Sequence, residues 1–131
     1  MTRDPDANPH FCPGCGARQR FFPRYPWHFC QACLDRATDA EGRSLVFGNA
    51  SLSGGLTWAY RNEPDRTDSN ALEVVCLIAG RPVLVHEARF GGVVAEPLQD
   101  APAAHRHERT VDLSRHHRLE AARARLVSRR S

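Results

Sequence analysis

The sequence predicts an α+β protein: a small cysteine-bearing finger packed on a small antiparallel β-sheet, with an Arg-rich helix at the C-terminus. Three observations predict it. Two CxxC pairs stand close together near the N-terminus, β-branched apolar runs punctuated by glycine fill the middle, and leucine and alanine recur at helical spacing among the last arginines. At 131 residues the chain has room for one core plus a small metal-stapled subdomain, not for two full cores. Composition divides it into 1–9, a disordered leader; 10–42, a four-cysteine zinc module; 43–98, a small antiparallel β domain; and 99–131, a linker and basic helix.

The finger comes first. Cys12, Cys15, Cys30 and Cys33 form two CxxC pairs separated by fourteen residues. Paired thiols from two loops match a closed tetrahedral zinc site, in which all four positions are taken by sulfur and none is left for water. The expected cofactor is therefore one structural zinc ion. The opening residues are polar and turn-rich, unlike a signal or transit peptide, so the expected location is cytoplasmic, where thiols stay reduced and metal ligation outweighs disulfides. The fifth cysteine, Cys76 in "LEVVCLIA", reads as a buried structural thiol.

The two halves of the finger differ. "CPGCG" is a knuckle in which Gly16 can take positive φ and turn amides toward sulfur, whereas "CQACLDRATDAEG" reads as a short helix running from the second pair to Gly42. A knuckle followed by a helix that carries the last two ligands resembles the treble clef; a zinc ribbon with two knuckles is the alternative. Phe11 and Phe29 are expected to shield the sulfurs, and His10 and His28 to pack or hydrogen-bond nearby, because four thiolates already close the shell.

Between the pairs, Arg18, Arg20 and Arg24 interleave with Phe21, Phe22, Tyr25 and Trp27. Such a mixture can stack bases and neutralise phosphates. It is equally what a finger with few other apolar residues needs as its own mini-core and docking surface. The segments "CPGCG", "RYPWHFCQACLDRATDAEGR", "FGNASLSGG" and "EARFGG" resemble those of small, largely uncharacterised bacterial proteins with a four-cysteine finger, over about residues 11–96. That resemblance implies a finger fused to a β domain, and no activity.

In the middle segment, two apolar runs flank Ala79-Gly80, which predicts a tight hairpin, and Gly91-Gly92 interrupts the strand that follows as a bulge or close backbone approach would. Shorter strands are expected near Leu45–Phe47 and Leu56–Tyr60, and a polar loop over Arg61–Ser69. The sum is one sheet of about four strands. Beyond the linker, Ser114 is the expected N-cap of a helix whose narrow stripe of Leu119, Ala122 and Leu126 predicts partial docking or folding only on a partner.

Charge is uneven along the chain. Residues 1–33 carry four Arg and two Asp (+2), residues 34–98 six Arg and nine acids (−3), and residues 99–131 eight Arg and four acids (+4). Lysine is absent, which the Ala and Arg enrichment of a GC-rich genome explains. The partner implied is a nucleic acid or an acidic protein surface, met through Arg18, Arg20, Arg24, Tyr25 and Trp27 of the finger and Arg115, Arg118, Arg125 and Arg129 of the tail. No membrane or small-molecule substrate is expected. His105, His107, His116 and His117 add a weaker option of pH or metal sensing.

Catalysis is not expected. Asn49, Ser51, Ser53, Asp65, Asp68, His86, Glu87 and Arg89 are chemically capable groups, but strand alternation sends His86 and Glu87 to opposite faces, and "SLSGG" lacks the end of a phosphate loop. The function expected is that of a non-catalytic zinc protein acting as a nucleic-acid-binding module, with a protein–protein adaptor or assembly component using the finger and basic tail helix as the alternative, and an enzyme with a site in the β domain as the lesser one.

Overall fold

The computed structural model describes residues 10–16, 18–19, 28–51, 54–87, 92–98 and 109–128. In chain order the elements are β1 (His10–Phe11), β2 (Arg18–Gln19), α1 (Gln31–Leu34), β3 (Leu45–Ser51), β4 (Gly54–Tyr60), β5 (Arg66–Ala71), β6 (Glu73–Ile78), β7 (Arg81–Glu87), β8 (Val93–Pro97) and β9 (Thr110–Asp112). A 3-10 turn (His116–Arg118), α2 (Leu119–Arg123) and β10 (Val127–Ser128) complete the described chain. The leader and the Arg/aromatic stretch 20–27 lie outside the described residues, as does the linker through residue 108.

The protein is mostly β, and the single sheet expected is in fact two. One sheet has the order β10-β5-β4-β3 and is antiparallel throughout; the other is β8-β7-β6-β9, with β9 parallel to β6. The inward residues of both, including Leu45, Trp58, Tyr60, Val74, Cys76, Ile78, Val83 and Val85, meet in one core. Each sheet is half-apolar and needs the other to bury its inner face, which is why a lone four-stranded sheet was never a complete solution.

The hairpin at Ala79-Gly80 forms as expected. Both residues take positive φ (52° and 77°), so the two-residue turn twists with its strands, and Ile78 pairs with Arg81. Of the glycine pair, Gly91 lies outside the described residues, and Gly92 (φ +85°) directly precedes β8, which begins at Val93. There the Asn49 side chain bonds both backbone groups of Gly92, tying the β3 edge to the start of β8.

Arg61–Ser69 is only half loop, because Arg66 already begins β5. The strand tolerates its polarity because a bulge against β4, between Asp68 and Ala71, leaves Ser69 and Asn70 exposed while both flanking residues stay buried, and Asp68 accepts the Trp58 indole N–H at 3.0 Å. The C-terminal segment also departs from expectation. Ser114 is no helix cap but closes a turn on the Asp112 carboxylate, and α2 has five residues. Leu119, Ala122 and Leu126 are all buried, so the stripe read as too narrow to dock is fully docked. No helix among the described residues is long and apolar enough to cross a membrane.

Candidate metal centre

The first CxxC sits on the turn of the β1–β2 hairpin, where His10 pairs with Gln19 and Phe11 with Arg18. Gly16, at φ +76°, closes that turn by donating its N–H to the Cys12 carbonyl at 2.9 Å. Gly14 is required for a different reason. A Cβ there would lie 2.9 Å from the Cys33 sulfur and 3.0 Å from the Phe29 ring, so only a bare backbone lets the two halves close.

The second pair brackets α1. Cys30 precedes the helix in extended conformation and Cys33 lies within it. The helix does not run to Gly42 but ends at Leu34, because the chain must extend again: Thr38 exchanges both backbone hydrogen bonds with Leu77 of β6. Gly42, at φ +82°, belongs to the turn after that, which the Asp39 carboxylate holds by accepting the Glu41 and Arg43 amides.

This chain path brings the four sulfurs within 4.8 Å of one another. Cys12 and Cys33 are separated by 3.6 Å between sulfurs, as are Cys15 and Cys30. A metal–sulfur distance of about 2.3 Å in a tetrahedron requires edges of about 3.8 Å, so the four cysteines are positioned to bind one metal ion. Cys12 and Cys33 are buried while Cys15 faces solvent. Burial opposes ionisation of Cys12, but the amides of Cys30, Cys15 and Gly14 outweigh it and bring the thiol down to about 7. Burial pushes Cys30 and Cys33 up, and Cys76, wholly enclosed among apolar side chains, is pushed up by burial alone.

The finger is docked on the β core. The Phe29 amide donates to the Ala95 carbonyl of β8 at 2.9 Å, and Phe29, Leu34 and Ala37 are buried with the sheets' side chains. Phe29 is buried in one cluster with Cys12 and Cys33, whereas Phe11 is half exposed on β1 at the position paired with Arg18. Four further side chains join this segment to the core, and residue-type spacing did not flag them as a group. Tyr60 donates its hydroxyl to the buried Asp39 at 2.7 Å, and Arg123 of α2 bonds Tyr60, Asp39 and Glu41. The one available signal was local: Asp-Ala-Glu-Gly at 39–42 is a side-chain-capped turn in the making.

Of the expected partner-binding residues, Arg18, Arg115, Arg118 and Arg125 lie among the described residues. Arg115 and Arg118 are exposed, while Arg125 bonds the buried Asp68 at 2.7 Å. Arg18 is placed only as a backbone position on β2, and Arg20, Arg24, Tyr25, Trp27 and Arg129 lie outside the described residues. Of the four tail histidines, His116 and His117 are exposed and His105 and His107 lie outside the described residues.

The chemically capable groups of the β domain are also dispersed. His86 bonds Glu96 at 2.7 Å, and Glu87 instead accepts the Gly55 amide from the opposite sheet. Asn49 and Asp68 are engaged structurally, as above, and Asp65 is exposed in the β4–β5 turn. Ser53 and Arg89, with the Ser51 side chain, lie outside the described residues.

The chain matches no protein-family model, no curated protein and no solved structure. The resemblance to four-cysteine bacterial proteins therefore stands on the cysteine cluster itself, and no family is identified.

Proposed function

We propose that the cluster is a structural zinc site and that this non-catalytic protein acts as a nucleic-acid-binding module through its finger. The four-sulfur donor set suits zinc, which prefers four-coordinate thiolate sites and supplies folding energy there without chemistry of its own. One feature of the finger supports a binding role. Its hairpin carries Phe11 half exposed, at the strand position whose register partner is Arg18. An exposed aromatic ring suits base stacking, and arginines near it in sequence suit phosphate neutralisation. Arg20 and Arg24 follow in sequence, and Arg115 and Arg118 add exposed charge elsewhere.

The test is fluorescence anisotropy of the zinc-loaded full chain with single-stranded RNA and duplex DNA across a salt series. The expected result is binding whose affinity falls steeply with salt and weakens in a triple Arg18/Arg20/Arg24→Ala variant. Absence of binding at low salt contradicts the reading. A second reading, an assembly component, is favoured by β10, an edge strand whose Val127 is 61% exposed. It predicts a discrete protein complex that withstands salt and is lost in Val127→Asp.

A further inference from the structure

The register of the β3–β4 hairpin has a consequence beyond the finger. Leu45 pairs with Tyr60, so the residues just before β3 and just after β4 lie side by side, and the Arg61 amide donates to the Ser44 carbonyl at 2.9 Å. Arg43, Ser44, Arg61 and Asn62 thus line a single open cleft of about 310 Å³. Two guanidinium groups, a hydroxyl residue and a carboxamide residue converge there from positions set by the sheet.

Both arginines are held in place, and the charge around them does not balance. Arg43 stacks on the Tyr60 ring, 3.9 Å from its centre, and bonds Glu63 at 3.1 Å and Asn62 at 3.4 Å. Glu63 is shared, since Arg66 also pairs with it at 3.6 Å. Among the described residues Arg61 bonds carbonyl oxygens alone, those of Asp35 at 2.9 Å and Leu45 at 3.4 Å. The Asp35 carboxylate takes the Gln31 amide instead, and among the described residues no carboxylate pairs with Arg61. Carbonyl anchors orient a guanidinium but leave its charge standing, which is the condition under which an oxyanion is bound by charge-assisted, forked hydrogen bonds.

We propose that this cleft is a phosphate-binding site, Arg61 supplying the uncompensated charge and Arg43 a second guanidinium kept rigid by Tyr60. The ligand chemistry is a phosphate oxyanion, from the backbone of a nucleic acid or from a free phosphate compound. The proposal deepens the nucleic-acid reading only if the phosphate comes from a backbone.

The experiment is isothermal titration calorimetry on the zinc-loaded full chain at low salt, with inorganic pyrophosphate in one arm and a short single-stranded oligonucleotide in the other. Three samples are compared: the unaltered protein, an Arg43→Gln/Arg61→Gln variant and an Arg115→Gln/Arg118→Gln variant. Thermal melts of each confirm folding, and glutamine keeps an N–H donor for the carbonyls. The expected result is saturable pyrophosphate binding that weakens by about tenfold or more in the cleft variant and is unchanged in the Arg115/Arg118 variant. Oligonucleotide binding weakened by the same cleft substitutions assigns the phosphate to a nucleic-acid backbone. Pyrophosphate binding without oligonucleotide binding assigns it to a free phosphate compound, and leaves the cleft standing while the nucleic-acid reading falls. No saturable pyrophosphate binding, or equal loss in both variants, overturns the proposal; oligonucleotide binding that persists in the cleft variant then keeps the nucleic-acid reading alone. Should the cleft variant melt early, the single Arg61→Gln variant, which spares the Tyr60 stack, carries the same comparison.

Discussion

Residues 28–37 enter the core with Phe29, Leu34 and Ala37, and residues 109–128 enter it with Val111, Leu113, Leu119, Ala122 and Leu126. The two segments are held in place by different physics. The first has few apolar residues of its own and supplies two of the four sulfurs that are positioned to bind one metal ion. The second brings five apolar residues and anchors itself with two arginines on two buried carboxylates, Arg123 on Asp39 and Arg125 on Asp68. A segment held by metal depends on a ligand that can be withdrawn. One held by burial and internal ion pairs does not, and its charges are spent inside the molecule.

Metal removal separates the two segments most sharply. Chelation should remove metal-linked folding energy on the order of 10 kcal/mol from the finger. In hydrogen exchange, the amides of Phe29 and Leu34 should lose protection while those of Ala124 and Leu126 keep it. Equal loss in both regions would mean that the finger and tail form one cooperative unit. Next in size is the carboxylate anchor. Asp39→Ala leaves Tyr60 and Arg123 without their buried partner and should cost about 3–5 kcal/mol in chemical denaturation with zinc content unchanged.

Leu126→Ala tests the apolar half of the tail's attachment and should cost about 2–4 kcal/mol, again without loss of metal. Gly14→Ala acts on the other side of the comparison. Its methyl group meets the Cys33 sulfur and the Phe29 ring, so a loss of about 1–3 kcal/mol should come with weaker metal retention in competition with a chelator.

The smallest expected effects are those of pH. Burial opposes the Asp39 charge, but the Tyr60 hydroxyl, the Arg43 and Glu41 amides and Arg123 hold its carboxyl below the usual range. Its contribution is therefore complete above about pH 4 and is lost as pH falls through the lowered value. Burial likewise opposes the His86 charge, but Glu96 outweighs it and the imidazole is raised. That contribution is complete below about pH 6.5 and is lost as pH rises through the raised value. Melts across pH should show the acid limb flattened in Asp39→Asn and the upper limb flattened in His86→Gln.

Legibility followed the same division. The metal cluster could be located from the sequence because two CxxC pairs are a local signal, as was the Ala79-Gly80 hairpin. The second sheet could not, since β5 is written in polar residues that become a strand only when Trp58 and Arg125 satisfy Asp68. The tail was misread for a related reason. Its arginines look solvated until the partners, more than fifty residues earlier, are known, and its apolar stripe is narrow only if it must bury itself unaided. The helix expected up to Gly42 failed because Thr38 was claimed by Leu77, a contact that no local propensity encodes.

The account rests on what the four sulfurs hold, and zinc K-edge X-ray absorption on the purified chain, with metal content measured on the same sample, tests that most directly. The account predicts one zinc per chain with four sulfur neighbours at about 2.3 Å, falling to three in Cys15→Ser. A chain that folds without bound metal, or a zinc with nitrogen or oxygen neighbours in place of any of the four sulfurs, would contradict it.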